Sequence, residues 1–269
     1  MDVRNKEFKV LDHGFIRVVD TMGIDSSICQ AARVSYGDGT TTKTTDEGLI
    51  NYLLRHAHTT PFEMCEIKLH CKMPLFIARQ WLRHRTANVN EYSARYSIMK
   101  EDYYVPKLEH IRDQSAVNKQ CGDKSLPIEE ATKVRDIIIQ QSDAALANYK
   151  ELIKTVARET ARIILPVNFY TEFYWKIDLH NFMHFINLRI KKGAQFEIRE
   201  YAKVLLEILK DWLPMTYKAF VQHRLNNKYI SKGMTEAIQW SVDREKLVQY
   251  GLANGVSQRE INDLFEASI

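Results

Sequence analysis

The chain has 269 residues, 45% hydrophobic and 27% charged, the make-up of a soluble globular protein with room for one large domain or two small ones. Its formal charge of +4 is too small to select a nucleic acid over an anionic small ligand, so charge placement has to decide. No stretch approaches the ~20 apolar residues of a membrane-spanning helix, the start MDVRNKEFKV lacks the apolar core of a secretion signal, and Cys29, Cys65, Cys71 and Cys121 show no CxxC spacing. These features point to reduced thiols in a cytoplasmic protein outside the membrane.

Residues 8–22 hold two short β-like runs, FKVL and FIRVVD, separated by the turn formers Asp12, His13 and Gly14. Two helices follow. SSICQAARVSY opens on a serine cap signal, and TTDEGLINYLLRHAH has a threonine cap, early acids and apolar Leu49, Ile50, Leu53 and Leu54. From Cys65 to Met73 the odd positions are apolar and the even ones polar, the pattern of a half-buried strand. Pro74 suits the first turn of a helix, LFIARQWLRHR, which ends near the polar stretch TANVNEYS. The triplet Arg83, His84, Arg85 therefore stands at a helix exit.

Residues 100–127 read as irregular. From Pro127 to about Thr155 apolar residues keep helical spacing, a long amphipathic helix. ARETARIIL is helical up to Pro166, NFYTEFYWKI has strand propensity, and DLHNFMHFINLR resumes helical spacing behind an aspartate cap. AQFEIREYAKVLLEILKDWL is a further helix ended by Pro214, and from about Asn227 the sequence is polar, with weak helices broken at Gly251 and Gly255. With no repeat, low-complexity tract or linker, the expected architecture is α+β: one domain over 1–226, with a mixed or antiparallel sheet packed by long helices, and a C-terminal extension over 227–269.

Chemistry concentrates in RHRTANVNEYSARYS, residues 83–97. Arg83, His84, Arg85 and Arg95 surround a loop carrying Asn88, Asn90, Glu91, Tyr92 and Ser93. Guanidinium groups bind phosphate bidentately, while carboxylate, amide and hydroxyl groups satisfy the edges of a base or ribose, so the segment reads as a nucleotide site. Two plainer readings compete. Arg83 and Arg85 could complement the negative end of the preceding helix, or form an RNA-binding patch, although the interleaved aromatics and long Lys/Arg run of such patches are missing.

Ser93 has no histidine at triad-like spacing and reads as a binding group. His180 and His184 have the i, i+4 spacing of a zinc site, but Asn181 stands where a zincin has its glutamate, so no metal is expected. Cys65 and Cys71 lie on the apolar face of their strand and read as core residues, as do the aromatics of FYTEFYW.

An RHR triplet followed by seven residues and a serine, Arg83 to Ser93, resembles the signature of the flavin-dependent thymidylate synthases. The similarity extends to SARYS, to AARVSYG at 31–37, HTTPFE at 58–63 and ARQWLRHR at 78–85. It continues through ARIILPVNFYTEFYW at 161–175 and INLRIKKGAQFEIREYA at 186–202, covering about the first 220 residues. The resemblance implies a thymidylate synthase-complementing-like α+β subunit, assembled as a homotetramer with FAD and dUMP sites shared between chains, and no nucleic-acid or membrane partner. It implies NADPH as the reductant of FAD, 5,10-methylenetetrahydrofolate as carbon donor, and conversion of dUMP to dTMP.

By the same resemblance Arg83, His84 and Arg85 contact FAD, with Arg83 also near the nucleotide, and Glu91 lies where flavin and dUMP meet. Gln80, Tyr92, Ser93, Ala94, Arg95 and Arg162 fall to dUMP. Ser35, Thr60, Asp178, His180 and His184 match flavin-contacting positions, and His58 one close to folate and flavin. Arg189 matches the arginine that pairs with the uracil edge and assists ionisation at N3; a fixed cation there would stabilise charge spread over N3 and O4 when C5 becomes nucleophilic. Two departures stand out: Gly193 replaces a histidine common in the family, and the segment beyond about 227 carries no chemical motif.

Overall fold

The structure is a computed structural model that describes residues 3–36 and 44–265; Gly37, the last residue of AARVSYG, lies outside them. Its contacts divide the chain into two compact units, Met1–Leu225 and Asn226–Ile269.

The first unit opens with strands β1 (Glu7–Val10) and β2 (Gly14–Met22), paired antiparallel, then helix α1 (Asp25–Arg33), a 3-10 turn at Val34–Tyr36, α2 (Asp46–Arg55) and the single turn α3 (Thr60–Glu63). Strand β3 (Glu66–Pro74) leads into α4 (Leu75–Trp81) and the short strand β4 (Asn88–Glu91). A hairpin, β5 (Arg112–Gln114) with β6 (Gly122–Ser125), precedes the 25-residue helix α5 (Ile128–Leu152) and the turn α6 (Arg158–Ala161). Strand β7 (Tyr170–Asp178), α7 (Leu179–Arg189), α8 (Phe196–Trp212) and α9 (Pro214–Phe220) complete the unit, followed by a π-helical turn at Val221–Leu225.

Five strands form one antiparallel sheet in the order β1-β2-β3-β7-β4. Its two faces are unlike, as expected for an antiparallel sheet packed on one side. Ile16, Val18, Ile67, Leu69, Cys71, Phe173, Trp175 and Ile177 are buried on one face, against which α4, α7 and α8 pack. Trp81 of α4 sits at the centre, with ring centroids 5.0 Å from Trp175 and 4.2 Å from Phe185 of α7. The other face is charged: Lys176 pairs with Glu66 at 2.8 Å, His70 with Glu172 at 3.1 Å, and His70 stacks on Tyr174 at 4.9 Å.

Both hairpin strands, the strand after Cys65, the aromatic strand β7 and helices α2, α5, α7 and α8 stand where the sequence placed them. Thr45 caps α2 and Asp178 caps α7, each through its side chain. Tyr174, expected in the core, is 47% exposed because β7 turns it to the polar face. Several other features differ from expectation. Helix α1 is not capped by a serine: Ile24 occupies the cap, and Ser27 accepts a hydrogen bond from the Ile24 N–H at 3.1 Å. Pro74 ends β3 with extended backbone (φ −60°, ψ 144°) and only then starts α4.

Helix α4 ends at Trp81, so Arg83–Arg85 lie in the loop beyond it, and the polar stretch that follows contains β4, the fifth strand. Residues 100–127 include a hairpin, ARETARIIL supplies only α6 and a 3-10 turn at Arg162–Ile164, and Pro214 begins α9 rather than merely ending α8.

In the second unit α10 (Lys232–Ser241), α11 (Arg244–Ala253) and α12 (Gln258–Asp263) are capped by the side chains of Ser231, Asp243 and Ser257. Gly251 does not break a helix there. It lies within α11, where a Cβ would stand 2.8 Å from Cδ1 of Ile261, which is buried against it. Gly255 is the breaker, at φ +80°, a conformation that glycine adopts without a Cβ penalty.

Candidate active site

The loop leaving α4 places Arg83 and Arg85 on the surface and His84 half-buried. Neither arginine has a hydrogen-bond or salt-bridge partner among the described residues. The cation that complements the carbonyl end of α4 comes from elsewhere: Arg189, the last residue of α7, donates from Nη2 to the Gln80 carbonyl at 3.3 Å and from Nε to Nε2 of His84 at 3.0 Å. The triplet is thus spared the helix-end role that the sequence left open. Of the five N–H groups of a guanidinium, these two are committed and three remain.

Arg189 is half-buried and pairs with no carboxylate among the described residues; burial lowers its pKa, although a guanidinium remains charged at any physiological pH. His84 is pushed down to about 4 by burial first, then by the charges of Arg189 and His184. It is neutral near pH 7. Its ring lies 4.6 Å from that of Phe185 and 6.1 Å from that of His184, whose own pKa is lowered by burial and by His180. Gln80, whose carbonyl holds Arg189, also donates from Nε2 to Oε1 of Gln195 at 2.5 Å.

A second cluster forms where β4 ends. Glu91, Tyr92, Ala94 and Arg162 line a cavity of about 220 Å³, with Thr171 of β7 behind them. Thr171, only 3% exposed, donates to Oε1 of Glu91 at 2.7 Å and orients that carboxylate. The sequence reading missed Thr171, yet a signal was present: it shares the parity of buried Phe173 and Trp175, and a buried hydroxyl requires a partner. Ser93 accepts the Arg95 N–H at its Oγ (3.3 Å) while its carbonyl accepts from Tyr96 and Ser97 (3.1 Å each), so the serine folds the turn behind the cavity. Tyr92 donates its hydroxyl to the Ile98 carbonyl. Arg95 pairs with Glu159 at 3.1 Å, both 55% exposed, a contact weak enough for an anionic ligand to displace.

Ser35, His58 and Thr60 line a third region, a cavity of about 1100 Å³ between α1, α2 and α3. His58 lies edge-on to Tyr52, with ring centroids 5.7 Å apart. Asp178 is engaged at the start of α7, accepting from the Asn181 N–H at 2.9 Å and from its side-chain amide at 2.7 Å. Within this chain the residues expected to contact flavin are therefore spread over the Arg83–Arg85 loop, the end of β4, the first turns of α7 and the large cavity. Cys65 and Cys71 are fully buried, and burial raises both thiols, Cys65 to about 11; neither is a thiolate at neutral pH.

At Gly193 a Cβ would meet nothing within 4 Å, and the carbonyl accepts the Cys121 thiol at 3.5 Å. A Cβ at this position therefore has open space. Gly193→His is expected to leave the urea midpoint within the range of a neutral surface change, about 0.5 kcal/mol; a loss of 2 kcal/mol or more would contradict the open space seen at this position.

Residues 17–215 match the thymidylate synthase complementing protein family. A flavin-dependent thymidylate synthase of Ehrlichia ruminantium (strain Gardel) is 51% identical over 266 residues, covering 98% of this chain and 89% of that protein. One from Rickettsia typhi is 52% identical over 271 residues, covering 95% of this chain and 91% of its own length. Among solved structures, the UMP/dUMP methylase PolB from Streptomyces cacaoi, bound with 5-Br UMP, superposes with a TM-score of 0.73 at 27% identity, covering 82% of this chain and 99% of PolB. A family match over most of the first unit and half-identical relatives over nearly the whole chain agree with the antiparallel α+β fold, and the chain belongs to the family of flavin-dependent thymidylate synthases.

Proposed function

We propose that this member of the family converts dUMP to dTMP, with 5,10-methylenetetrahydrofolate as carbon donor, NADPH as reductant and FAD as bound cofactor. The observation that carries the reading is Arg189: a half-buried cation without a carboxylate partner among the described residues, held by two neutral acceptors and left with three donors for a ligand. A uracil ring ionised at N3 presents the charge such a group accommodates.

FAD fits the residues present. The cavity of about 1100 Å³ carrying Ser35, His58 and Thr60 is large enough for part of a dinucleotide, and Arg83 and Arg85, exposed and without partners among the described residues, suit its diphosphate. When bound, the flavin supplies the hydride of the reaction. The chain's own residues bind and orient. Arg95 and Arg162 hold the dUMP phosphate, Gln80 and Glu91 place the nucleotide with Thr171 fixing the Glu91 carboxylate, and Arg189 stabilises the negative charge that develops across N3 and O4. With the Cys65 and Cys71 thiols protonated and Ser93 committed to its turn, a protein nucleophile is not required.

Assembly as a homotetramer with shared sites belongs to the same proposal. It is supported by the spread of the expected flavin residues over separate parts of the chain, and by α5, which buries only Ala131, Ser142 and Tyr149 along 25 residues. Purified protein is expected to be yellow with FAD, to bleach under NADPH without oxygen, and to form dTMP from the full mixture. Colourless protein that binds no added FAD and forms no dTMP would sink the proposal. Arg85→Ala is expected to weaken FAD binding about tenfold or more, as loss of a charge-assisted contact does. Unchanged flavin affinity in a titration would remove Arg85 from the cofactor site.

A further inference from the structure

The resemblance gives His84 to the flavin, but its ring accepts a hydrogen bond from Arg189. An arginine side chain carries about 2 kcal/mol of rotamer entropy, so holding the guanidinium in one pose needs more than one contact. The structure supplies two: the Gln80 carbonyl at Nη2, at 3.3 Å, and His84 Nε2 at Nε, at the shorter 3.0 Å. Because an arginine N–H can only donate, the ring nitrogen facing it must be unprotonated, and the proton of the neutral ring stands on Nδ1.

The surroundings of His84 keep that form. From α7 it faces Arg189, His184 and Phe185, with His180 one turn before His184; Arg83 and Arg85 flank it in the chain. Among the described residues no carboxylate contributes to its electrostatics. An imidazolium here would turn the contact into donor against donor and set two cations 3.0 Å apart.

We propose that His84 is the positioning residue of Arg189: its neutral imidazole accepts from Nε and fixes the plane of the guanidinium, so the three remaining donors are presented in one fixed orientation. The role rests on the reaction proposed above for its effect on turnover, but not for the contact itself. His84→Leu removes the acceptor and His84→Gln keeps one where Nε2 stood. His84→Leu is expected to lower kcat for dTMP about tenfold to a hundredfold, the loss of a hydrogen bond to a charged group, with FAD still bound, and His84→Gln to recover a large part of that loss. Equal loss of kcat in both variants, or loss of FAD instead of kcat in His84→Leu, would overturn it.

A second measurement needs no turnover. In ¹⁵N-histidine spectra of the whole protein, His84 should titrate with a midpoint of about 4, and Arg189→Met should raise that midpoint toward 6.5, because both the donor and the nearby cation are gone. A midpoint indifferent to Arg189 would refute the contact. Wild-type protein that makes no dTMP while His84 still responds to Arg189→Met would place the failure in the proposed reaction and leave the coupling intact.

Discussion

Replacing Arg189 by alanine is expected to lower kcat for dTMP formation by roughly 10²–10³-fold, the cost of removing one preorganised charge-stabilising donor, while the protein still binds FAD. The guanidinium is docked before any ligand arrives, on the Gln80 carbonyl and on His84, so it spends no reorganisation at the moment charge moves onto the pyrimidine. Desolvation strengthens the effect, since a half-buried cation interacts with a ligand anion through a lower effective dielectric than water. Arg189→Lys restores the charge but neither the planar fork nor the Nε contact, and should recover only part of the loss. Steady-state kinetics beside flavin content per subunit decide the matter: flavin loss equal to that of Arg85→Ala would mean Arg189 serves the cofactor and not the substrate.

Asp25→Ala is expected to destabilise the first unit by roughly 3 kcal/mol, since a buried donor left without an acceptor costs about 1–3 kcal/mol. Asp25 opens α1 and is 9% exposed, yet its carboxylate serves α9: it accepts from the Met215 and Thr216 N–H groups at 3.0 Å each and from the Thr216 hydroxyl at 2.7 Å. Those are first-turn donors of a helix begun by Pro214, and helix geometry provides them no internal partner. Thr216 is fully buried, so water cannot take over at its hydroxyl. A domain stability of about 5–15 kcal/mol makes such a loss severe. Urea denaturation reads it as a lower midpoint at unchanged slope; a shift worth less than 1 kcal/mol would show that α9 has another anchor.

The His84–Arg189 contact also carries a pH signature. A histidine whose folded pKa lies near 4, below its ordinary 6.5, is protonated in the unfolded chain first. Its contribution to stability is complete above about pH 6.5 and is lost as pH falls from there through 4.

The elements that were legible in the sequence are those whose burial is local in pattern. The alternation from Cys65 to Met73 survives as β3 because a sheet packed on one face prints period two into its strand, and Asp178 announces α7 because a cap acts within three residues. Strand β4 left no such print. Asn88, Val89, Asn90 and Glu91 are all exposed, and they are extended because β7 offers them a free edge. Pro214 was ambiguous for a related reason: the same residue ends one helix and begins the next, and the acceptor for the new helix lies 190 residues away.

The site divides in the same manner. Arg83–Ser93 could be read as a ligand loop from residue types alone, but the sequence could not say which cation closes α4, because Arg189 arrives from 109 residues beyond Gln80. Once Arg189 occupies that end, Arg83 and Arg85 are left without partners among the described residues, which is what a phosphate site needs. The caps Ser231, Asp243 and Ser257 were readable, and their residue types justified firmer helices in the C-terminal unit than its polarity suggested.

The most direct test is a single turnover without oxygen: protein loaded with FAD and reduced by NADPH, freed of excess NADPH, then mixed with dUMP and 5,10-methylenetetrahydrofolate, with flavin absorbance and dTMP followed together. The expected result is reappearance of the oxidised flavin spectrum matched by an equal amount of dTMP, both slowed by Arg189→Ala. Flavin that stays reduced with no dTMP formed, or dTMP formed with no change in the flavin, would contradict the account.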